Sequence, residues 1–427
     1  TLRGGAGAGS FPDGGGAGHD SIILDGERGL MTDRREGGWE SGESSTRTRA
    51  ASPFDGDYHR AVRNAPAVRL LADLSDESPL EIAARWPADQ RLLMLHSGRV
   101  HPRWARWSIL TRPSMTWRFD GRSRWIDAPS PVFLGAQGLR FTNDPLIDLD
   151  AVLATTRCGP TTASGVLPFI GGWIGYFSYD LGRFIEPRAQ HVAGPRKNSH
   201  WPLIELAWCP DALVFDHVQH QWHCVGEFQS IIDSFQSNGP NPHREWFELE
   251  GLQPTIDARQ YTSVVAQAIE YIAAGDIFQA NIAQRFTAAF RGSARSLMMQ
   301  AMRDAQPWYG AHLELAAGDG ELARTIISLS PELFLQTDPA SRRVTTRPIK
   351  GTRPAAAPFA GAARELIDSA KDAAELHMIV DLMRNDLGRV CEFGSVTVPS
   401  PRTIESHPTV LHGVGEVTGT QRSGITI

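Results

Sequence analysis

Lys350 lies in the run Arg347-Pro348-Ile349-Lys350-Gly351-Thr352-Arg353-Pro354, and its setting is the one most suited to covalent chemistry. A lysine amine attacks carbon only when burial or neighbouring cations depress its pKa. Arg347 and Arg353 are two such cations, Pro348 stiffens the approach and Gly351 frees the backbone beyond. Taken alone, the run also describes a surface lysine at a strand end. Upstream, Glu332-Leu333-Phe334-Leu335-Gln336-Thr337 has the character of a strand, Asp338-Pro339-Ala340-Ser341 is turn chemistry, and Arg343-Val344-Thr345-Thr346 reads as the returning strand. A hairpin closed near Ser341 brings Glu332 and Lys350 to its open end, where facing residues lie about 5 Å apart. A carboxylate and an amine at that spacing form either an ion pair or an acid/base with its nucleophile. Spacing alone leaves both open.

Among the elements that must position these groups, one long helix is predicted over residues 361–387. Leu376, Ile379, Val380, Met383 and Leu387 recur at helical spacing, and Gly388 is its stop. Asp368, Asp372 and Glu375 are spaced to share one side of that helix. Clustered carboxylates suit Mg2+, which takes one or two protein carboxylates and completes its shell with water and substrate oxygens. The same spacing describes a solvated acidic face paired with Arg364 and Lys371.

Together these residues resemble the chorismate-utilising enzymes of the anthranilate synthase component I type. The resemblance is carried by Ser330-Pro331-Glu332, Pro348-Ile349-Lys350-Gly351-Thr352, Lys371-Asp372 with Glu375, and Ile379-Val380-Asp381-Leu382-Met383-Arg384-Asn385-Asp386. Upstream it is carried by Gly275-Asp276-Ile277-Phe278-Gln279-Ala280-Asn281 with Gln284-Arg285-Phe286, and by Gly171-Gly172-Trp173-Ile174-Gly175-Tyr176 leading into Tyr179-Asp180-Leu181-Gly182-Arg183. It spans residues 66–419. Lysine at position 350, and Leu95-His96-Ser97-Gly98 followed by His101-Pro102, resemble the aminodeoxychorismate synthase component I branch. Anthranilate synthase large subunits typically carry alanine in place of that lysine.

The resemblance implies an α+β fold, a sandwich of large antiparallel sheets with flanking helices, which suits alternating segments such as 203–215. It implies conversion of chorismate and ammonia, the latter from a glutaminase subunit, to 4-amino-4-deoxychorismate in para-aminobenzoate and folate synthesis. Glu332 matches the general acid/base that helps the hydroxyl depart, and Lys350 would add covalently to the ring. Glu375 matches a Mg2+ ligand, His412 a histidine near the substrate, and Gly351 and Thr352 the pocket wall. Some relatives hold a tryptophan in the N-terminal part of the fold. The matching positions are Ser97, Trp104, Arg106, Trp107, Pro307, Trp308 and Tyr309, which plain aromatic core would equally explain. Two other readings remain: another chorismate enzyme of the anthranilate synthase type, and an inactive fragment that keeps only partner binding.

The sequence also departs from the family. Gly413 and Gly415 stand where members carry larger or hydroxylated residues. Members continue well past the point matching Gly419, with a Pro-Gly-Gly-Ser-type loop, further metal-binding carboxylates and groups that hold the chorismate carboxylates. The expectation is therefore a chain incomplete at its C-terminus, weak in chorismate binding, inactive as a synthase, and with uncovered sheet edges prone to aggregation. Residues 1–52 are rich in Gly, Ser, Arg and acidic residues and cannot bury enough surface to offset their ordering entropy. They are expected to be a disordered tail or a mis-assigned start, and they lack the apolar core of a signal peptide. Residues 53–240 are expected to form the N-terminal region and 250–427 the catalytic region, with the Asn238-Gly239-Pro240-Asn241-Pro242 loop between them.

Composition sets outer bounds. At 427 residues and 41% hydrophobic content the chain can bury a sizeable core. A net charge of -6 argues against a general nucleic-acid binder. Cys158, Cys209, Cys224 and Cys391 are scattered without a C-x-x-C pair, and so read as reduced thiols rather than disulfides or zinc ligands. Without an apolar run of about 20 residues, no helical membrane span is expected, and the chain reads as cytoplasmic.

Overall fold

The computed structural model describes residues 66–127, 142, 144–156, 167–186, 201–237, 246–316, 323–355 and 359–425. Within them, strands form a seven-stranded sheet, a four-stranded sheet, a five-stranded sheet and two two-stranded ribbons. Neighbouring strands run antiparallel throughout the seven-stranded sheet, so the α+β expectation holds. Residues 1–52, Cys158 and the loop at 238–242 lie outside the described residues.

The alternating segment at 203–215 shows how the first two sheets join. Ile204–Cys209 and Ala212–Asp216 are buried along their whole lengths, because each is an interior strand. The former lies between Met115–Phe119 and Gly172–Phe177 in the four-stranded sheet. The latter lies between Trp107–Thr111 and Gln221–Val225 in the seven-stranded sheet. Only Pro210 and Asp211 separate them. The two sheets share a core of Leu93, Ile174, Ala207, Cys209, Leu313 and Leu315. The other face of the seven-stranded sheet is covered by Pro79–Ala84, Gln229–Ser237 and Ala294–Ala305, whose Ile82, Ile231, Met298 and Met302 pack with Leu110, Leu213 and Trp222. Each fully buried large apolar side chain there contributes about 1.5–3 kcal/mol. Tyr309–Glu314 and Thr325–Ser330 complete that sheet, so it takes strands from both sides of the loop at 238–242.

The five-stranded sheet is built around Val410–Thr420. Thr397–Ser406 pairs along one edge. Arg343–Arg347 and Ile349–Pro354 pair end to end along the other, facing residues 417–420 and 410–414. Leu333–Asp338 forms the expected hairpin with Arg343–Arg347, closed through residues 339–342. Two helices cover this sheet where one was expected: Phe359–Asp368 and Ala370–Gly388. The break is Ser369, in extended conformation, whose hydroxyl accepts the Asp372 N–H at 3.2 Å. A serine cap is a local signal strong enough to restart the helix and interrupt the apolar periodicity. The second helix ends at Gly388 as expected, and buries Leu376, Val380 and Leu387 against Val344 and Val417.

Cys209, Cys224 and Cys391 are buried free thiols. No helix among the described residues is long and apolar enough to cross a membrane.

Candidate active site

The Lys350 strand, Ile349–Pro354, does not run evenly along its partner. Ile349 faces Val414 and Thr352 faces His412, so the Lys350 side carries one extra residue. Such a bulge re-aims a side chain and needs backbone freedom. Gly351 supplies it with a φ of +83°, a conformation that favours glycine. Across the strand, Gly413 admits the bulge: a Cβ there would lie 2.6 Å from the Lys350 carbonyl oxygen. The departure from the family at 413 thus has a steric role in this chain. Lys350 is half-buried, and its side chain makes no ion pair among the described residues.

Glu332 is close to Lys350, but not by the route the hairpin suggested. The last pair of the hairpin is Leu333 with Arg347. Pro348 has no N–H to extend that ladder, and the chain moves on to Val410–Thr420, with the Gly415 N–H donating to the Pro348 carbonyl at 2.9 Å. Glu332 therefore does not face Lys350 across paired strands. Its carboxylate instead accepts the Ile349 N–H at 2.8 Å, one residue before the lysine.

Thr352 and His412 meet directly, Oγ1 to Nδ1 at 2.9 Å. His412 is buried, and its ring begins a row that the sequence did not reveal. His407 lies 5.3 Å away between ring centroids, Trp308 a further 4.9 Å, and His101 5.0 Å beyond that. Burial, aided by Arg99 and Arg347, lowers the His407 pKa to about 4. His407 joins the row through a strand register, with Glu405 facing His412, that local sequence does not encode.

The three acids expected on one helix face have separate fates. Asp368 closes the first helix and pairs with Arg364 at 3.5 Å, in an exposed contact. Glu375 pairs with Lys371 at 3.3 Å, the solvated alternative. Asp372 is buried and pairs with Arg353 at 3.0 Å. The break at Ser369 rotates Asp368 out of the set. No group of three His, Cys, Asp or Glu side chains among the described residues is arranged to hold a metal. Among the described residues the Glu375 carboxylate is paired with exposed Lys371, so a Mg2+ drawn to it would have to take most of its oxygens from water and substrate, and no all-protein cage is formed there.

The positions matched to a tryptophan pocket divide in two. Ser97 donates its hydroxyl to the Trp107 carbonyl at 2.8 Å, and the Gly98 N–H donates to the Pro307 carbonyl at 2.7 Å. Trp104 lies between the guanidinium groups of Arg103, at 4.1 Å, and Arg347, at 4.2 Å. Arg347 also reaches the Trp308 ring at 5.8 Å and pairs with Glu405. Burial pushes the Tyr309 phenol pKa up, against Arg347 beside it. Arg106 and Trp107 face elsewhere: Arg106 donates to Asp216 at 3.0 Å and stacks on Trp107 at 4.5 Å. One part of the set therefore braces the base of the Lys350 strand, and the other braces the seven-stranded sheet. Further along the Glu375 helix, Met378, Ile379 and Leu382 line a cavity of about 340 Å3 together with Phe278 and Gln279. This explains why Ile379 is absent from the buried core.

Residues 111–427 match the family profile described as chorismate binding enzyme. The chain is 32% identical over 342 residues to aminodeoxychorismate synthase component 1 of Escherichia coli (strain K12), an alignment covering 76% of this chain and 69% of that protein. It is 34% identical over 276 residues to anthranilate synthase component 1 of Thermus thermophilus, covering 61% of this chain and 57% of that protein. The crystal structure of anthranilate synthase component I from Streptococcus pneumoniae TIGR4 superimposes with a TM-score of 0.60 at 24% identity, covering 84% of this chain and 77% of that one. The last likeness is one of fold.

Proposed function

The chain belongs to the chorismate-binding enzyme family, and from that premise we propose that it is component I of an aminodeoxychorismate synthase. Its reaction is the conversion of chorismate and ammonia to 4-amino-4-deoxychorismate, a step toward para-aminobenzoate and folate. The ammonia comes from a glutaminase subunit, a reading supported by relatives whose own names make them component 1 of a larger enzyme. The observation that carries the proposal is lysine at position 350, on a bulge, without an ion pair among the described residues, beside the amide that holds Glu332.

The chemistry follows from that arrangement. The Lys350 amine forms a C–N bond to the chorismate ring as the allylic C–O bond breaks. Glu332 in its acid form gives its proton to the departing hydroxyl, which leaves as water. Ammonia then forms the product C–N bond while the bond to Lys350 breaks; the surplus proton on the new nitrogen returns to the Glu332 carboxylate, and the lysine leaves as its free amine. A covalent lysine divides one difficult substitution into two easier ones. Proton transfer to the leaving group typically contributes about 10²–10⁴-fold. Thr352 and His412 form the polar wall beside the lysine. Glu375 would hold Mg2+, which supplies positive charge for a substrate carboxylate.

A second reading, anthranilate formation, is supported by the comparable identity to anthranilate synthase component 1. Product analysis separates the two. The full-length protein, given chorismate, Mg2+ and an ammonium salt, should yield aminodeoxychorismate and not anthranilate. Lys350→Ala should lose most of that turnover, and mass spectrometry of quenched wild-type protein should find a chorismate-derived adduct on Lys350. Unchanged turnover in Lys350→Ala would sink the covalent role.

A further inference from the structure

One buried acid between the Lys350 strand and the Glu375 helix takes no part in the reaction above. Asp372 is 8% exposed and sits in the first turn of Ala370–Gly388, its N–H capped by the Ser369 hydroxyl. Its carboxylate is directed at the strand, where Arg353 Nη2 donates to Oδ2 at 3.0 Å. The same side chain packs beneath Gly351: a Cβ built there would lie 2.9 Å from Asp372 Cβ and 3.0 Å from its Cγ. Asp372 thus meets the strand on both sides of Thr352, and its first contact adjoins Lys350. Glu375 follows three residues later on the same helix, turned toward Lys371. Arg353 is held a second time, by Glu365 of the preceding helix at 2.8 Å. Burial works to lower the Arg353 pKa, but Glu365 and Asp372 outweigh it and raise the value. The guanidinium therefore stays charged.

We infer that Asp372 is a positioning residue, clamping the Lys350–Gly351 bulge to the helix that carries Glu375. This rests on the functional reading above and adds to it the part that sets nucleophile and metal-holding carboxylate at a fixed spacing. A clamp is needed because a bulge gives up ladder hydrogen bonds and a left-handed glycine has little conformational preference of its own. Its pairing with Arg353 also neutralises a carboxylate that would otherwise add unpaired buried charge next to the site. Misplacing a reactive group by about 1 Å can cost about 10²-fold in rate.

Asp372→Asn keeps the side-chain shape and removes the charge. The full-length variant is compared with wild type in kcat and KM for chorismate with ammonia, in the Mg2+ concentration for half-maximal rate, and in amide hydrogen exchange of residues 349–353. Melting temperature checks the fold. The expected result is a kcat at least about tenfold lower with a much smaller change in KM, a higher Mg2+ requirement, and faster exchange at 349–353 but not in the seven-stranded sheet. Asp372→Glu, which keeps the charge, recovers part of kcat. Arg353→Gln reproduces the Asp372→Asn pattern from the strand side and serves where Asp372→Asn does not fold. The double variant is no worse than the poorer single, as for two parts of one unit. Wild-type kcat in the Asp372→Asn protein, or a lower kcat without faster exchange at 349–353, overturns the inference. A wild-type protein that leaves chorismate unchanged refutes the functional reading instead, and the exchange comparison still decides whether Asp372 holds the bulge.

Discussion

Replacing Gly351 with alanine should destabilise the protein by two routes that the geometry separates. The backbone there has a φ of +83°, and an L-residue in that region costs about 1–2 kcal/mol. The added methyl would also lie 2.7 Å from Leu366 Cδ1 and 2.9 Å from Asp372 Cβ. Neither neighbour can easily give way. Leu366 is fully buried and Asp372 is held by Arg353. Overpacking of this kind costs about 1–3 kcal/mol. Alanine restricts the unfolded chain, which returns about 0.4–1 kcal/mol, so the net loss should be about 1–5 kcal/mol. Urea unfolding followed by tryptophan fluorescence measures it. Gly388→Ala is the control, because a Cβ there meets nothing within 4 Å at the end of the same helix. That variant should be neutral or slightly stabilising. If Gly351→Ala unfolds at the same urea concentration as wild type, the bulge is not pressed against Leu366 and Asp372, and the lysine strand is not clamped there.

Two further outcomes follow from other parts of the structure. Glu375→Gln should raise the Mg2+ concentration needed for half-maximal turnover in the full-length protein; an identical Mg2+ dependence would leave Glu375 as only the surface partner of Lys371. Stability should also fall with acid, because burial lowers the His96 pKa from 6.5 to about 3 and those of His217 and His407 to about 4. The unfolded chain binds these protons first as the pH drops. The stability they contribute is therefore complete above about pH 6.5 and lost progressively below it, by up to about 1.4 kcal/mol per histidine per pH unit. Equal urea midpoints at pH 7 and pH 5 would contradict this.

The local elements of this protein were legible in its sequence because they depend on near neighbours. The hairpin whose turn follows Asp338, the stop at Gly388 and the strands of 203–215 all rest on turn chemistry or short-range periodicity, though the alternation read at 203–215 did not show that both strands are buried along their whole lengths. The motifs around Glu332, Lys350 and Glu375 were enough to indicate the family that the comparison then established. Even the break at Ser369 had a local signal, the serine three residues before Asp372, but the apolar repeat running across it argued for one helix. Tertiary structure alone decided what each reactive group touches. Lys350 is set by Val410–Thr420, some sixty residues on, whose register against Ile349 and Thr352 creates the bulge. Two acids of equal charge on one helix part company, Asp372 buried on Arg353 and Glu375 left to Lys371, because only one of them lies over the Lys350 strand. Trp104, Trp308 and Arg347 come from three distant segments and meet only when the sheets are assembled. Periodicity states which face of an element is apolar. Which strand or helix comes to cover that face, and so which charges must find partners there, depends on closing the chain over long separations.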